Sequence, residues 1–344
     1  MTPANDLKIL VADIGGTNAR FGLVTLGENP DNSNAANGFI ANQQITLKCA
    51  EHSSIAAMAK AYCGEAGIPM PDYGCLAIAG PIEDGWAQMT NLNWAFSIED
   101  MRQELGMKAL DVINDFAALA YATPFLRDDD IKLLHAGKKN STAAMVVFGP
   151  GTGFGMAALV PEKGDCDWKL LPTEGGHCSF APTDEKELAI RAYLAQTQDH
   201  ISIEDILSGR GLVSIYQALA SINRLEAQNF TPADVSTKAM LNEDALCREA
   251  LVTFCNILGG VAGDKALSLG AKGGVFLGGG IIPKIAQFVP ETDFISRYTH
   301  KGPMADYVRE ISVNMILNDK AALVGTAAWM VNKIPELAAQ YRKI

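Results

Sequence analysis

Near the start of the chain, residues that could bind an anion or a metal separate two apolar runs: Asp13, Gly15, Gly16, Thr17 and Asn18. The run before them is too short for a typical helix and predicts a buried strand, and a second apolar run follows at 21–26. Glycines let the backbone take φ > 0 or approach another group closely, and such turns leave N–H groups free for an anion. We expect a strand–loop–strand segment that binds nucleotide phosphates, with Mg²⁺ at Asp13. An ordinary hairpin is the alternative, because hairpin turns are rich in Gly and Asn.

A second polar pair, Asn114 and Asp115, follows a short apolar run at 110–113 and precedes a helical stretch that ends at Pro124. A position where a strand gives way to a helix commonly places side chains in a cleft. Asp115 is therefore a candidate for chemistry. A helix N-cap is the alternative, since Asp is favoured there, and one residue can serve both purposes.

Glycine turns follow three predicted strands, after Ala12, Phe148 and Leu277. One shift of 136 residues aligns Gly15 with Gly151 and Leu23 with Leu159. The repeated pattern of strand, glycine turn and strand indicates a duplicated domain plan. None of the turns fits GxxxxGK[ST], and GPGTGFG at 149–155 does not fit GxGxxG. These mismatches argue against a Walker-type loop and a dinucleotide site.

Composition and charge exclude several classes of protein. The 344 residues suffice for two domains, and 48% hydrophobic with 19% charged residues suits sizeable cores. A net charge of −11 argues against a nucleic-acid binder and against an anionic membrane surface as a partner. No run of about 20 uninterrupted apolar residues occurs, so no membrane span is expected. Asp6 and Lys8 interrupt the N-terminus, which therefore does not resemble a signal peptide.

The seven cysteines are odd in number and form no CxxC pair. This pattern indicates reduced, mostly buried thiols in a cytoplasmic protein rather than a disulfide framework or a zinc site.

Predicted strands and helices alternate along the chain, which indicates an α/β fold. The polar run 127–130 marks a boundary between two parts. We expect a small α/β domain from residues 1–124 plus 324–344, and a large α/β domain from residues 125–323. The apolar positions of the predicted helix at 243–269 suit either a homodimer interface or a core.

Six motifs in order resemble the bacterial glucokinase family, of the hexokinase/actin/heat-shock-70 superfamily: DIGGTNAR at 13–20, IND at 113–115, GPGTGFG at 149–155, EGGH at 174–177, EDILSG at 204–209 and VFLGGGI at 275–281. Each motif alone is weak, but their order over residues 8–330 is specific. The resemblance implies two ribonuclease-H-like (actin-like ATPase) domains with the active site in a cleft between them. It also implies a cytoplasmic homodimer.

The resemblance further implies which residues bind ATP. The first phosphate loop would be Ala12, Asp13, Ile14, Gly15, Gly16, Thr17 and Asn18, with Asp13 near Mg²⁺, directly or through water. The second phosphate loop would be Gly151, Thr152 and Gly153. The adenosine would lie against Gly278, Gly279 and Gly280. Phosphoryl transfer needs mainly positioning and charge neutralisation, which loops of this kind supply.

The resemblance also assigns the sugar side. Asp115 would accept the proton of the 6-hydroxyl of glucose as that oxygen attacks the γ-phosphorus. The sugar hydroxyls would be bound by Asn114, Asp115, Glu174, His177 and Glu204. Alternatives are a turn residue for Glu174, an exposed helix-start carboxylate for Glu204 and a structural role for His177. Related ROK sugar kinases bind zinc through a similar His and a downstream cysteine cluster; that cluster is absent here, so no zinc is expected.

The implied activity is that of an ATP:glucose 6-phosphotransferase, with ATP and glucose as substrates and Mg²⁺ as cofactor. A kinase for fructose, mannose or an N-acetylated sugar is an alternative within enzymes. A nucleotide- or sugar-dependent regulator, or an actin-like assembly protein, is the alternative outside them. Two features depart from the family pattern without explanation: a long polar segment at 27–37, expected to touch neither substrate, and Arg210 after the LSG sequence.

Overall fold

The computed structural model describes residues 7–26, 39–89, 92–138, 140–162 and 168–341, so the predicted loop at 27–37 and Cys166 lie outside the described residues. The chain divides into two compact units. The first contains the described residues up to Asp130, residues 168–170 and the described residues from Asn318 onward. The second contains the remaining described residues between Ile131 and Leu317.

The strands, in chain order, are β1 (Leu7–Ile14), β2 (Asn18–Leu26), β3 (Ala41–Lys48), β4 (Tyr73–Ile78), β5 (Ile82–Glu83), β6 (Trp86–Gln88), β7 (Ala95–Ser97), β8 (Ala109–Asn114), β9 (Ile131–His135), β10 (Met145–Pro150), β11 (Phe154–Pro161), β12 (Trp168–Thr173), β13 (Gly274–Leu277) and β14 (Val313–Ile316). The α-helices are α1 (Ile55–Ala66), α2 (Ile98–Leu105), α3 (Asp115–Ala122), α4 (Glu185–Leu194), α5 (Ile203–Ile206), α6 (Gly209–Ile222), α7 (Pro232–Met240), α8 (Ala245–Leu269), α9 (Ile282–Ile285), α10 (Phe294–Thr299), α11 (Ala305–Arg309), α12 (Ala321–Lys333) and α13 (Pro335–Tyr341).

The first unit is built on a five-stranded sheet in the order β3-β2-β1-β4-β8. β1 pairs antiparallel with β2 through the predicted glycine turn, and parallel with β4. β4 pairs parallel with β8, in a register that places Ile14, Ile78 and Asn114 side by side. The carboxyl ends of β1, β4 and β8 therefore meet at one edge of the sheet, where the predicted site residues follow β1 and β8.

The second unit repeats this plan. Its six-stranded sheet has the order β12-β11-β10-β13-β14-β9. β10 and β11 form an antiparallel hairpin, and β10, β13 and β14 are parallel. The first five strands match the first sheet position for position, and β9 adds an antiparallel edge. The duplicated plan predicted from the sequence is confirmed.

Buried apolar faces hold each sheet to its helices. In the first unit, fully buried side chains of β1 and β2, such as Leu10 and Phe21, pack with α1 residues Met58 and Tyr62. In the second unit, most of α8 lies in the core with β10 and β13. The apolar positions predicted at 243–269 are therefore core positions.

Among the described residues, α8 is the helix long and apolar enough to cross a membrane by length and composition alone. Of its most apolar stretch, 61% is buried inside the protein. A buried core helix accounts for this apolar character without a membrane.

Several elements gave no usable sequence signal. β9 and β12 are short and partly exposed, and β12 contains Pro172, so neither shows a clean alternation of apolar and polar residues. The small sheet β5-β6-β7 consists of strands of two or three residues. By contrast, α7 does carry a local signal, a capping box formed by Thr231 and Asp234, which sequence reasoning missed.

The contact between α12 and α3 supplies a stability prediction. A Cβ at Gly325 of α12 would lie 1.7 Å from the carbonyl oxygen of Ala118 in α3. Because that neighbour is backbone, Gly325→Ala should lower the free energy of unfolding by about 2–3 kcal/mol. Urea denaturation measures the change. The matched control is Gly64→Ala in α1, where a Cβ meets nothing within 4 Å and the free energy of unfolding should hold or rise. Equal effects of the two variants would contradict this packing.

Candidate active site

The first glycine loop closes the β1–β2 hairpin in the first unit. Gly15 N–H donates to the carbonyl of Asn18 at 2.9 Å. Cys49 supports the loop from behind, with its N–H on the Thr17 carbonyl at 2.9 Å and its thiol 3.5 Å from the Gly15 carbonyl. Thr17 and Asn18 are exposed. The loop is therefore the turn of the hairpin, and it is also exposed to solvent and held in place by Cys49. The two interpretations of the sequence, an ordinary hairpin and an anion-binding loop, are compatible.

Asp13 lies one residue before the end of β1 and is half-buried. Burial raises the pKa of Asp13 to about 6; the nearby Arg20 lowers this pKa and Asp319 raises it. Arg20 is the cross-strand partner of Asp13 and donates to Asp319, to its carbonyl at 2.6 Å and to its carboxylate at 2.8 Å. The charge of an ionised Asp13 is therefore only partly compensated by Arg20, which is shared with Asp319.

Asn114 and Asp115 share the start of α3. Asn114 is the N-cap, and its side chain accepts from Phe116 N–H at 2.9 Å. Asp115 is the first helical residue, and its Oδ1 accepts from the same N–H at 2.9 Å. The N-cap alternative for Asp115 is therefore wrong, because the preceding amide already caps the helix.

Burial makes Asp115 a stronger base than an ordinary aspartate. Burial is the largest cause of the rise of its pKa to about 7, and the charge of Asp13 raises it further. Hydrogen bonds from the backbone of Phe116 and Asp115 and from Asn114 lower the pKa by less. The backbones of β1 and β8 lie two strand spacings apart, about 10 Å, with β4 between them. The two carboxylates thus influence each other across the carboxyl end of the sheet.

In the second unit, parallel pairing of β10 with β13 brings two glycine turns together. Gly278 N–H donates to the Phe148 carbonyl at 2.9 Å, and Ile281 N–H donates to the Pro150 carbonyl at 3.2 Å. A Cβ at Gly149 would lie 2.0 Å from the Gly278 carbonyl oxygen. Gly279 has φ of 89°, where glycine is favoured. The predicted phosphate loop 151–153 and the predicted adenosine turn 278–280 are therefore neighbours.

Glu204 lies directly against the second glycine loop. Its Oε2 accepts from Phe154 N–H at 2.8 Å, and a Cβ at Gly153 would lie 2.5 Å from that oxygen. Its side chain is 19% exposed. The alternative of an exposed helix-start carboxylate is wrong, because Glu204 is held against the loop by a backbone hydrogen bond.

The EGGH segment forms a single 3₁₀ turn at Gly175–His177. His177 N–H donates to the Glu174 carbonyl at 3.0 Å, and the side chains of both residues are exposed. A Cβ at Gly176 would lie 2.3 Å from the Phe154 carbonyl oxygen. The turn and Glu204 therefore both contact the backbone of Phe154. Because Phe154 directly follows the second glycine loop, the sugar-binding candidates of this unit lie next to that loop.

Sequence reasoning missed residues that brace these loops. Gly209 N–H donates to the Gly151 carbonyl at 2.9 Å, and Ser208 caps α6 through Gly211 N–H at 3.1 Å. The buried Lys265 of α8 donates to the Gly175 carbonyl at 3.1 Å. Only the capping residue had a sequence signal, a Ser before a predicted helix.

No group of three or more His, Cys, Asp or Glu residues able to hold a metal occurs within the described part of the chain. The described cysteines are free thiols, and Cys178, next to His177, is exposed. A cation here would therefore take few ligands from the protein and the rest from a bound ligand or water.

Comparison with known proteins identifies the arrangement. A sequence model of the glucokinase family matches residues 10–333. The glucokinase of Saccharophagus degradans is 41% identical over 322 residues, covering 93% of this chain and 97% of the relative. The glucokinase of Chromohalobacter salexigens is 41% identical over 324 residues, covering 94% of this chain and 98% of the relative. The chain belongs to the glucokinase family.

Solved structures agree with this membership. A glucokinase from an Antarctic psychrotroph has a TM-score of 0.86 at 38% identity, covering 94% of this chain and 99% of that one. The glucokinase of Balamuthia mandrillaris, solved in complex with glucose, has a TM-score of 0.75 at 20% identity, covering 96% and 94%, and supports the fold alone. The predicted α/β class with two actin-like domains is confirmed. As a glucokinase family member, the chain is an ATP-dependent glucose kinase, an ATP:glucose 6-phosphotransferase.

The contact between Gly153 and Glu204 gives a prediction for this glucokinase family member. In Gly153→Ala, the new Cβ displaces the Glu204 carboxylate from Phe154 N–H, which removes a charge-assisted hydrogen bond. The free energy of unfolding should fall by about 1–2 kcal/mol. In a Glu204→Ala background the same substitution should cost almost nothing, since the clash is gone. A double-mutant cycle by urea denaturation compares the effect of Gly153→Ala in the two backgrounds. If the effects of the two substitutions on the free energy of unfolding simply add, the proposed clash between them is wrong.

Asp115 gives a prediction about pH. Its folded pKa of about 7 lies above the ordinary 3.8, so the folded protein holds a proton that the unfolded chain releases between these pH values. Stability is therefore lost as pH rises through this window. Asp115→Asn keeps an acceptor for Phe116 N–H and cannot ionise. The free energy of unfolding of Asp115→Asn minus that of the wild type should therefore increase by about 1–3 kcal/mol from pH 5 to pH 8.

Urea denaturation at both pH values tests this pH dependence. The matched control is Asp129→Asn, because the Asp129 carboxylate lies on the surface of the same unit. Its difference from the wild type should be the same at both pH values. A pH-independent difference for Asp115→Asn as well would overturn the raised pKa.

Proposed function

We propose that the chain transfers the γ-phosphoryl group of ATP to the 6-hydroxyl of glucose with Asp115 as the general base, giving glucose 6-phosphate and ADP. The observation that carries this assignment is the partly desolvated carboxylate of Asp115 at the carboxyl end of β8, with its pKa raised to about 7. General bases work best when their pKa lies near the operating pH.

Asp115 would take the proton of the 6-hydroxyl as that oxygen attacks the γ-phosphorus. The bond between the γ-phosphorus and the bridging oxygen breaks, and the electron pair leaves on ADP. Phe116 N–H binds Asp115 Oδ1, which helps to fix the orientation of the carboxylate that would take the substrate proton. Proton transfer of this kind contributes about 10²–10⁴ in rate.

The glycine loops would bind ATP. In the first unit the backbone N–H groups of residues 16–18 are candidates for phosphate oxygens, because Gly15 N–H already donates to the Asn18 carbonyl. Asp13 would be the protein ligand of Mg²⁺, directly or through water. Mg²⁺ usually takes one or two carboxylates and completes its shell with phosphate and water, which suits the small donor set here. When bound, the cation neutralises charge on the β- and γ-phosphates. In the second unit, residues 151–153 and 278–280 would serve phosphate and adenosine.

The sugar hydroxyls would be bound by Asn114, Glu174, His177 and Glu204, with Asp115 on the 6-hydroxyl. Asn114 uses its oxygen on Phe116 N–H, and its amide NH₂ has two N–H groups, so one can donate to a sugar hydroxyl while the other bonds Asp115. Among the described residues each Glu204 oxygen has one hydrogen-bond partner, so a lone pair of each can accept from a sugar hydroxyl. Glu174 and His177 are exposed and accessible to a ligand.

We further propose a cytoplasmic homodimer without nucleic-acid or membrane partners. The acidic charge supports the absence of nucleic-acid and membrane partners, and the free thiols of the described cysteines support the compartment. The homodimer rests on the family resemblance alone. Sedimentation velocity at micromolar concentration tests the assembly, and a single species with the mass of one chain would rule out the dimer. Fractionation of the native host with thiol trapping tests the compartment, and recovery with membranes would rule out the cytoplasm.

Replacement of the base tests the assignment of Asp115. Asp115→Ala should lower kcat for glucose phosphorylation by about 10²–10⁴, because no group replaces the proton acceptor. Glucose affinity measured by calorimetry should stay within about tenfold. The matched control is Asp129→Ala, an exposed aspartate of the same unit, which should retain full kcat. Retention of kcat in Asp115→Ala would remove Asp115 from the mechanism.

A coupled assay over glucose, fructose, mannose and N-acetylated hexoses with ATP, ADP and polyphosphate tests the substrates. The highest kcat/KM should belong to glucose with ATP. A higher value for another hexose would change the assigned acceptor, and the absence of turnover with every sugar would contradict the proposed reaction.

A further inference from the structure

Arg210, the residue that the family pattern left unexplained, contacts the carboxylate of Glu204. One guanidinium nitrogen, Nη2, lies 3.0 Å from Glu204 Oε1 and 3.2 Å from Asp205 Oδ1. Arg210 is the second residue of α6, and both carboxylates belong to α5. The contact therefore ties the start of one helix to the preceding helix.

The anchor of Arg210 is rigid. Asp205 Oδ2 accepts from the N–H and the hydroxyl of Ser202, at 3.0 and 2.6 Å, in a reciprocal capping box at the start of α5. This capping box fixes the Asp205 carboxylate, which leaves Oδ1 for the guanidinium. Arg210 is thus held at a defined position, from which it reaches Glu204.

Glu204 is held from two sides. Phe154 N–H binds Oε2 and Arg210 binds Oε1, so the carboxylate cannot rotate without losing one partner. Loss of the arginine would leave the hydrogen bond from Phe154 N–H as the remaining restraint on the carboxylate within the described part of the chain. The free lone pairs of both oxygens would then lose their fixed direction.

Stability does not explain this arrangement. The Arg210 side chain is 62% exposed, and exposed ion pairs contribute little to folding. The contact instead restrains the carboxylate of Glu204, which accepts a hydrogen bond from the second glycine loop and is a predicted sugar ligand.

We propose that Arg210 is a positioning residue for glucose binding: it orients the Glu204 carboxylate, with Phe154 N–H as the opposing restraint. This inference rests on the proposed role of Glu204 as a sugar ligand. Arg210 contacts no reacting atom, and its effect passes through Glu204. Since glucose carries no charge, removal of the guanidinium acts on the sugar through the direction of the Glu204 lone pairs.

Arg210→Met keeps the side-chain length and removes the charge. The KM for glucose should rise about 5- to 20-fold, the scale of one misdirected charge-assisted hydrogen bond. We expect kcat to change less than about threefold, KM for ATP less than about twofold, and Tm by no more than about 2 °C. A merely structural role would lower Tm and the active fraction while leaving the KM for glucose unchanged, and that result would overturn the proposal.

Arg210→Lys supplies the conservative rescue. Because a single nitrogen of Arg210 makes both contacts, an ammonium group can replace it, and the KM for glucose should return to within about threefold of wild type. The matched control is Arg248→Met, which breaks an ion pair with Glu291 at 3.2 Å in the same unit and should leave the KM for glucose unchanged. Equal KM values for the Lys and Met variants would contradict orientation by charge.

Glu204→Gln separates this inference from the proposed function beneath it. If Glu204 binds the sugar, Glu204→Gln raises the KM for glucose, and adding Arg210→Met raises it little further because the two act as a unit. An unchanged KM in Glu204→Gln would refute the sugar-ligand assignment itself. A raised KM in Glu204→Gln with a normal KM in Arg210→Met would refute only the positioning role.

Discussion

Parallel strand pairing is the constraint on which the candidate site residues of each unit depend. In the first unit, pairing of β4 with both neighbours places the ends of β1 and β8 at one edge, and with them Asp13 and Asp115. In the second unit, pairing of β10 with β13 places two glycine turns within hydrogen-bond distance. Residues more than 100 positions apart in the sequence thus lie at the same edge of a sheet, because parallel strands end on the same side.

This arrangement destabilises the ionised forms of two carboxylates. Asp13 and Asp115 lose hydration at the edge of the sheet, and the structure gives neither a full counter-charge, since Arg20 is shared with Asp319. Desolvation without complete pairing disfavours the ionised form and so raises the pKa. The same loss of hydration that opposes folding makes Asp115 basic enough to accept a hydroxyl proton. Desolvated groups that oppose folding are common at active sites, where function is retained at the expense of stability.

The glycine turns of the second unit depend on backbone packing more than on unusual torsion angles. A Cβ at Gly149 would clash with the Gly278 carbonyl, and a Cβ at Gly153 would clash with the Glu204 carboxylate. Gly279 has a positive φ. Phe154 is central here, since its N–H binds Glu204 and its carbonyl abuts Gly176. One peptide segment therefore connects a loop suited to phosphate with two groups suited to sugar hydroxyls.

The sequence by itself determined the α/β class, the hairpins around both glycine turns, the duplicated plan and the glucokinase resemblance. These follow from local apolar runs, glycine spacing and motif order, which act over short stretches of chain. Short strands such as β9 and β12 gave no such signal. The tertiary structure decided that Asn114, and not Asp115, caps α3, that Glu204 is held by Phe154 N–H, and that Arg210 has a partner. The contacts of Asn114 and Arg210 are local, but the residue pattern alone does not select these partners over their neighbours. Burial, pKa and the hydrogen bond between Phe154 and Glu204 depend on segments distant in the sequence, so no local pattern of residues encodes them.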